Sequence, residues 1–112
     1  MKVIVLGGAG DVGSRAVEDL VQGPGVKRVT IADRNEMGAR EIAGRLVAQG
    51  VDVDVRPVDA MDHDDLVRAM RGHDVAASAL GPFYLFEPRL VRAAIEAGVD
   101  YASICDEWEA VS

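Results

Sequence analysis

Seven residues near the N-terminus, Gly7-Gly8-Ala9-Gly10-Asp11-Val12-Gly13, combine types and spacing suited to holding a pyrophosphate. They satisfy G-x-G-x-x-G through Gly8, Gly10 and Gly13, and G-x-x-G-x-x-G through Gly7, Gly10 and Gly13. Such a turn must be tight, let backbone approach an anion closely, and let a helix pack against its strand. The N–H groups that open the helix, from Asp11, Val12 and Gly13, then face the anion with the helix dipole behind them. Asp33 stands 20 positions after Gly13, where an acid hydrogen-bonds the ribose hydroxyls of an adenosine. The plainer alternative is that the glycines make a sharp turn and Asp33 caps the next helix. Three features in register favour a dinucleotide.

Asp33 repels a 2′-phosphate, which favours NAD over NADP. Arg34 follows immediately and can stack on adenine, pair with that phosphate, or stand in solvent. Asp59 and Ala60 fall where the adenine usually lies, and Asp59 either accepts the adenine amino group or, like Asp62, caps a helix. Gly81 and Pro82 are expected to carry backbone past the nicotinamide half. The segment Gly81-Pro82-Phe83-Tyr84-Leu85-Phe86 holds both phenylalanines and one of the two tyrosines. As a loop, that cluster either folds onto the core or meets a cofactor, a substrate or another domain.

These residues require elements to position them, and the chain alternates two periodicities. Val3-Ile4-Val5-Leu6 is a β-branched run expected of a strand buried on both faces. Val12, Ala16 and Leu20 recur at helical spacing until Gly23-Pro24-Gly25. Val29 to Ala32 reads as a second strand. A second helix follows on Ala39, Ile42, Ala43, Leu46 and Val47, with Gly50 at its C-terminal cap. Val51, Val53 and Val55 alternate with charged residues, which predicts a half-exposed strand near an edge. Asp62 and Asp65 mark a third helix carrying Leu66, Val67 and Met70 and ending at Gly72. Val75 to Leu80 is the fourth strand. Pro88 suits the first turn of a fourth helix that closes at Gly98, and Tyr101 to Cys105 is the fifth strand. The order β-α-β-α-β-α-β-α-β predicts an α/β fold, a Rossmann-like doubly wound parallel sheet of about five strands in the order 3-2-1-4-5. Residues 1–112 make one domain, and the ending just after the fifth strand is expected of a piece of something longer.

The 12 basic and 19 acidic side chains give a formal charge of −7, unsuited to nucleic acid or anionic membranes. No apolar stretch approaches membrane-spanning length. The single cysteine, Cys105, fits a reducing compartment, so the expected location is cytoplasmic. A Tyr-x-x-x-Lys catalytic pair is excluded, because Pro88 follows Tyr84 and Cys105 follows Tyr101 at that spacing. No lysine follows the glycines, which excludes a Walker loop. His63 and His73 stand apart without a partner at metal-ligand spacing and read as surface residues. Met37, Met61 and Met70 read as packing.

Gly81-Pro82-Phe83, the segment Val91 to Tyr101, and Ile104-Cys105-Asp106-Glu107 resemble the N-terminal NAD(P)-binding domain of the saccharopine dehydrogenase family, as do the glycine turn and Ala32-Asp33-Arg34. The resemblance covers essentially the whole chain. It implies a two-domain oxidoreductase whose C-terminal substrate domain, absent here, supplies substrate binding and most contacts of a homodimer. The implied reaction is hydride transfer between NAD(P) and a C–N bond of an amino-acid or polyamine-type secondary amine. By position, the glycines and Asp33 would hold the cofactor, with Gly81 and Pro82 beside its nicotinamide. Asp106 would lie near the active site, where capping or ending a strand explains it as well. This chain alone is expected to bind cofactor and catalyse little. Two alternatives stand beside this reading. One is a non-enzymatic nucleotide-sensing regulatory module. The other, from the G-x-x-G-x-x-G spacing, is an atypical reductase or redox-sensing regulator.

Overall fold

The computed structural model describes residues 1–46, 51–80 and 83–103. Five strands, β1 (Lys2–Leu6), β2 (Arg28–Ala32), β3 (Asp52–Arg56), β4 (Val75–Ser78) and β5 (Asp100–Ser103), form one sheet in the order β3-β2-β1-β4-β5. Every pairing is parallel. Helices α1 (Asp11–Val21), α2 (Glu36–Leu46), α3 (His63–Met70) and α4 (Phe83–Ala97) connect them. This is the expected doubly wound Rossmann-like arrangement.

Side chains alternate across a strand, so the continuous apolar run of β1 must be covered on both faces. Ile4 and Leu6 join Ala32 and Ala76 beneath Leu66, Val67 and Met70 of α3 and Leu90, Ala93 and Ala94 of α4. Val3 and Val5 join Val29, Ile31 and Ala77 beneath Val17 and Val21 of α1 and Ala39, Ile42 and Leu46 of α2. Ile4 and Val5 are fully buried. Each such side chain stabilises the fold by about 1.5–3 kcal/mol relative to exposure.

The alternating Val-Asp strand lies at the sheet edge, as its pattern predicts. Val53 and Val55 pack toward α1 and α2, while Asp52 and Asp54 are exposed and pair with Arg28 on β2 at 3.8 and 3.3 Å. Two expected boundaries differ by more than a residue. The fourth strand stops at Ser78 rather than Leu80, because its partner β1 ends in register at Leu6, where the chain bends into Gly7. The fourth helix starts at Phe83, so Pro88 lies inside it rather than in its first turn, and the aromatic segment is helical from Phe83 onward. A proline there forfeits one backbone hydrogen bond, and the long apolar stretch that follows carries the helix regardless. Its end is as predicted. Gly98 adopts φ +73°, its N–H donates to Ile95 O, and the Val99 N–H donates to Ala94 O, a double closure that favours glycine. Gly50, predicted to cap the second helix, lies outside the described residues. No helix among the described residues is long and apolar enough to cross a membrane.

Candidate functional site

The glycine turn leaves the carboxyl end of β1 and enters α1 through Gly10, an extended N-cap (φ −80°, ψ 175°) with no side chain satisfying the helix's first N–H groups. Gly7 donates to Ala32 O at 2.7 Å, and Gly10 donates to Gly7 O at 3.1 Å. The four glycines are there for different reasons. Gly7 has φ +82°. A Cβ on Gly13 would stand 2.0 Å from the Gly7 carbonyl oxygen, and one on Gly8 would stand 2.8 Å from Ile31 Cγ2. These three are demanded by the protein's own packing. Gly10 is not: the nearest atom to a Cβ there is Gly7 O at an ordinary 3.5 Å. Gly10 is exposed, and its bare backbone leaves open the approach to the α1 N–H groups of Asp11, Val12 and Gly13. Unfilled N–H donors at an open helix N-terminus form an arrangement that can receive an anion.

Asp33 immediately follows β2 and is partly buried. Its carboxylate accepts the Ala9 N–H at 3.0 Å and the Asn35 N–H at 2.9 Å. It does not cap α2: Asn35 does, through Oδ1 and the Gly38 N–H at 3.0 Å. The Asp33 carbonyl also accepts the Val58 N–H at 3.4 Å. One residue thus ties together the loops that leave β1, β2 and β3. Arg34 beside it is exposed and has no ion-pair partner among the described residues.

The loop after β3 separates the two roles weighed for its aspartates. Asp62 is the cap of α3, accepting the Asp65 N–H at 3.2 Å. Asp59 instead closes a short turn, its carboxylate accepting the Met61 N–H at 2.9 Å. Asp65 accepts Arg56 Nη2 at 3.0 Å and the Asp59 N–H at 3.2 Å. Partial burial pushes the Asp65 carboxyl up, but the Asp59 N–H, the Arg56 hydrogen bond and charge, and Arg68 together hold it below the usual carboxylate range.

These elements enclose a cavity of about 110 Å³ at the carboxyl ends of the strands, where open α/β sheets hold ligands. Gly7, Asp33, Arg34, Asp59 and Ala60 all line it. Gly8, Gly10 and Gly13 belong to the turn at its edge, while the side chains of Asp11 and Val12 open onto a different depression beside Arg15 and Arg45. Gly81, Pro82, Cys105, Asp106 and Trp108 lie outside the described residues.

Residue types alone did not point to Val58, Met61 and Leu80, which line the cavity together with Phe86 of the aromatic segment. Phe86 reconciles the two readings of the aromatic segment, since it packs on the core cluster and faces the cavity. Met61 and Met37 do not pack as expected, being 48% and 84% exposed, whereas Met70 is buried. The histidines are not plain surface residues. His63 meets Glu96 at 2.5 Å, and His73 bonds buried Thr30 at 2.8 Å. Among the described residues no group of three or more His, Cys, Asp or Glu side chains could hold a metal ion. A wider depression of about 690 Å³ over β2 and β3 is lined by five arginines. Four of them, Arg28, Arg40, Arg56 and Arg68, are already paired with acids.

Comparison with known proteins agrees with the fold. The chain is 31% identical over 111 residues to the "Lipid droplet localized protein" of Caenorhabditis elegans, covering 94% of this chain but 26% of that protein. Apo saccharopine dehydrogenase (L-Glu forming) from Saccharomyces cerevisiae shares the fold, with a TM-score of 0.76 and 24% identity over 91% of this chain and 21% of that one. Triphenylmethane reductase from Citrobacter sp. superposes with a TM-score of 0.69 and 26% identity, over 92% of this chain and 36% of the reductase. The chain therefore spans between about a fifth and just over a third of the length of these relatives. Residues 3–109 match the saccharopine dehydrogenase NADP binding domain. The chain belongs to that family of nicotinamide dinucleotide-binding domains.

Proposed function

We propose that this chain is the NADP(H)-binding domain of a two-domain oxidoreductase, with residues 1–112 as its N-terminal part and a C-terminal domain supplying the substrate site. The observation that carries the reading is the convergence of the open Gly10 cradle, Asp33, Arg34 and the Asp59–Ala60 turn on one edge of the sheet. When bound, a nicotinamide dinucleotide supplies or accepts a hydride. The protein's part is to bind and orient. The N–H groups of Asp11, Val12 and Gly13 hold the pyrophosphate past Gly8 and Gly10. Asp59 and Ala60 receive the adenine. The reaction proposed is hydride transfer with the C–N bond of an amino-acid or polyamine-type secondary amine, which the family's name supports.

NADP(H) is favoured over NAD(H), reversing the preference that Asp33 alone suggests. Both oxygens of that carboxylate already accept backbone N–H groups, which offsets its charge and leaves it less free to receive two ribose hydroxyls. Arg34 stands exposed at the same cavity, available to a 2′-phosphate through charge-assisted hydrogen bonds. The name of the matching family supports the same choice. Titration with NADPH and NADH tests it: tighter NADPH binding, lost in Arg34→Ala, supports the assignment, and equal affinity counts against it.

A further inference from the structure

We infer that Asp65, on α3, is a positioning residue for the adenosine half of the cofactor site, an inference that rests on the dinucleotide reading above. Asp65 does not line the cavity itself. Its carboxylate reaches the wall from behind, accepting the backbone N–H of Asp59, while Asp59, Ala60 and Met61 form that wall. The other carboxylate oxygen holds Arg56, whose Nη1 donates to the Pro57 carbonyl at 2.8 Å. The Arg56–Asp65 pair therefore grips the loop between β3 and α3 at two backbone points, Pro57 O and Asp59 N. The Asp65 N–H is held in turn by the Asp62 cap, so the carboxylate is anchored to the rigid start of the helix.

This loop has no regular structure, and its shape decides where the Asp59 carboxylate stands. The Met61 N–H bond fixes that side chain only relative to the loop itself. The Val58 bond to Asp33 O, at 3.4 Å, is the long one. Releasing Asp65 leaves the wall free to sample other shapes, so a ligand must then pay the ordering entropy that the native contacts have already met. The loss falls on ligands with an adenosine, not on the pyrophosphate cradle across the cavity.

The test uses the whole chain, with Asp65→Ala, Asp65→Asn and Arg56→Met, titrated with NADPH and with adenosine 2′,5′-bisphosphate, alongside amide hydrogen exchange without ligand. Asp65→Ala is expected to weaken both ligands about tenfold, as for loss of one ordinary hydrogen bond. It should speed exchange of the Asp59 to Met61 amides while leaving the β1 and β2 amides protected. Asp65→Asn keeps an acceptor for the Asp59 N–H and should restore affinity to within about threefold. If Asp65→Ala does not fold, Arg56→Met carries the comparison, with the same ligands weakened. Unchanged affinity in Asp65→Ala where the wild type binds, or faster exchange throughout the sheet, overturns the positioning role alone. A wild type that binds neither ligand overturns the dinucleotide reading with it.

Discussion

Adding one methyl group at Gly13 places a carbon 2.0 Å from the Gly7 carbonyl oxygen and 2.8 Å from both Gly7 C and Gly8 Cα. All three are backbone atoms, so no side chain can swing aside. Relief requires the turn to move by roughly 1 Å or more, and overpacking of this kind costs about 1–3 kcal/mol. Alanine's better helix propensity, up to about 1 kcal/mol at this third helical position, offsets part of it. Gly13→Ala is thus expected to destabilise by about 1–2 kcal/mol, or roughly 4–10 °C in melting temperature. The same methyl at Gly10 meets only one atom, at 3.5 Å, and its backbone is one alanine adopts freely. Gly10→Ala should therefore melt within about 1 kcal/mol of wild type. Its methyl stands in the anion's approach, and losing one charge-assisted hydrogen bond to the pyrophosphate weakens NADPH about ten- to a hundredfold. Thermal unfolding followed by circular dichroism, with calorimetric titration of each variant, separates the two. A Gly13→Ala protein that melts with wild type, or a Gly10→Ala protein that binds like it, would refute the division between a packing glycine and a binding glycine.

Other outcomes follow from the same geometry. Arg34→Ala should weaken NADPH roughly ten- to a hundredfold while leaving NADH within about threefold, read by competitive titration. Asp62→Ala removes the cap of α3 and should cost about 1 kcal/mol, some 4 °C, in a thermal melt. Asp65 has a lowered folded pKa, so its stabilisation is complete above the unfolded value of about 4 and is lost as pH falls through the folded one. Denaturation midpoints measured from pH 6 to pH 3 should fall less steeply in Asp65→Asn than in wild type, and parallel curves would remove Asp65 from the acid response.

The parts of this fold that were legible in the sequence are those encoded locally. The β-branched run before the glycines, the helical spacing of Ala39, Ile42 and Leu46, the alternation at the edge strand and the Asp62 cap each express one element's own periodicity or end. The position of Asp33 was legible for the same reason. What its carboxylate bonds was not, because Ala9 approaches it through the β1–β2 pairing, 24 residues away in sequence. The start of α4 was misplaced because proline is a strong boundary signal, and an apolar run on both sides of it overrode that signal. Met61 read only as packing and Asp65 only as the start of a helix, because nothing in their types or spacing ties either to the cavity wall. Only the fold brings Arg56, Asp59 and Asp65 together.

Calorimetric titration of this chain with NADPH, and separately with NADH, decides whether this end of the sheet binds a dinucleotide. Saturable binding of NADPH, tighter than NADH and abolished or strongly weakened in Gly10→Ala, is the expected result. A folded chain with no affinity for either nucleotide would contradict the assignment of this sheet edge as a dinucleotide site.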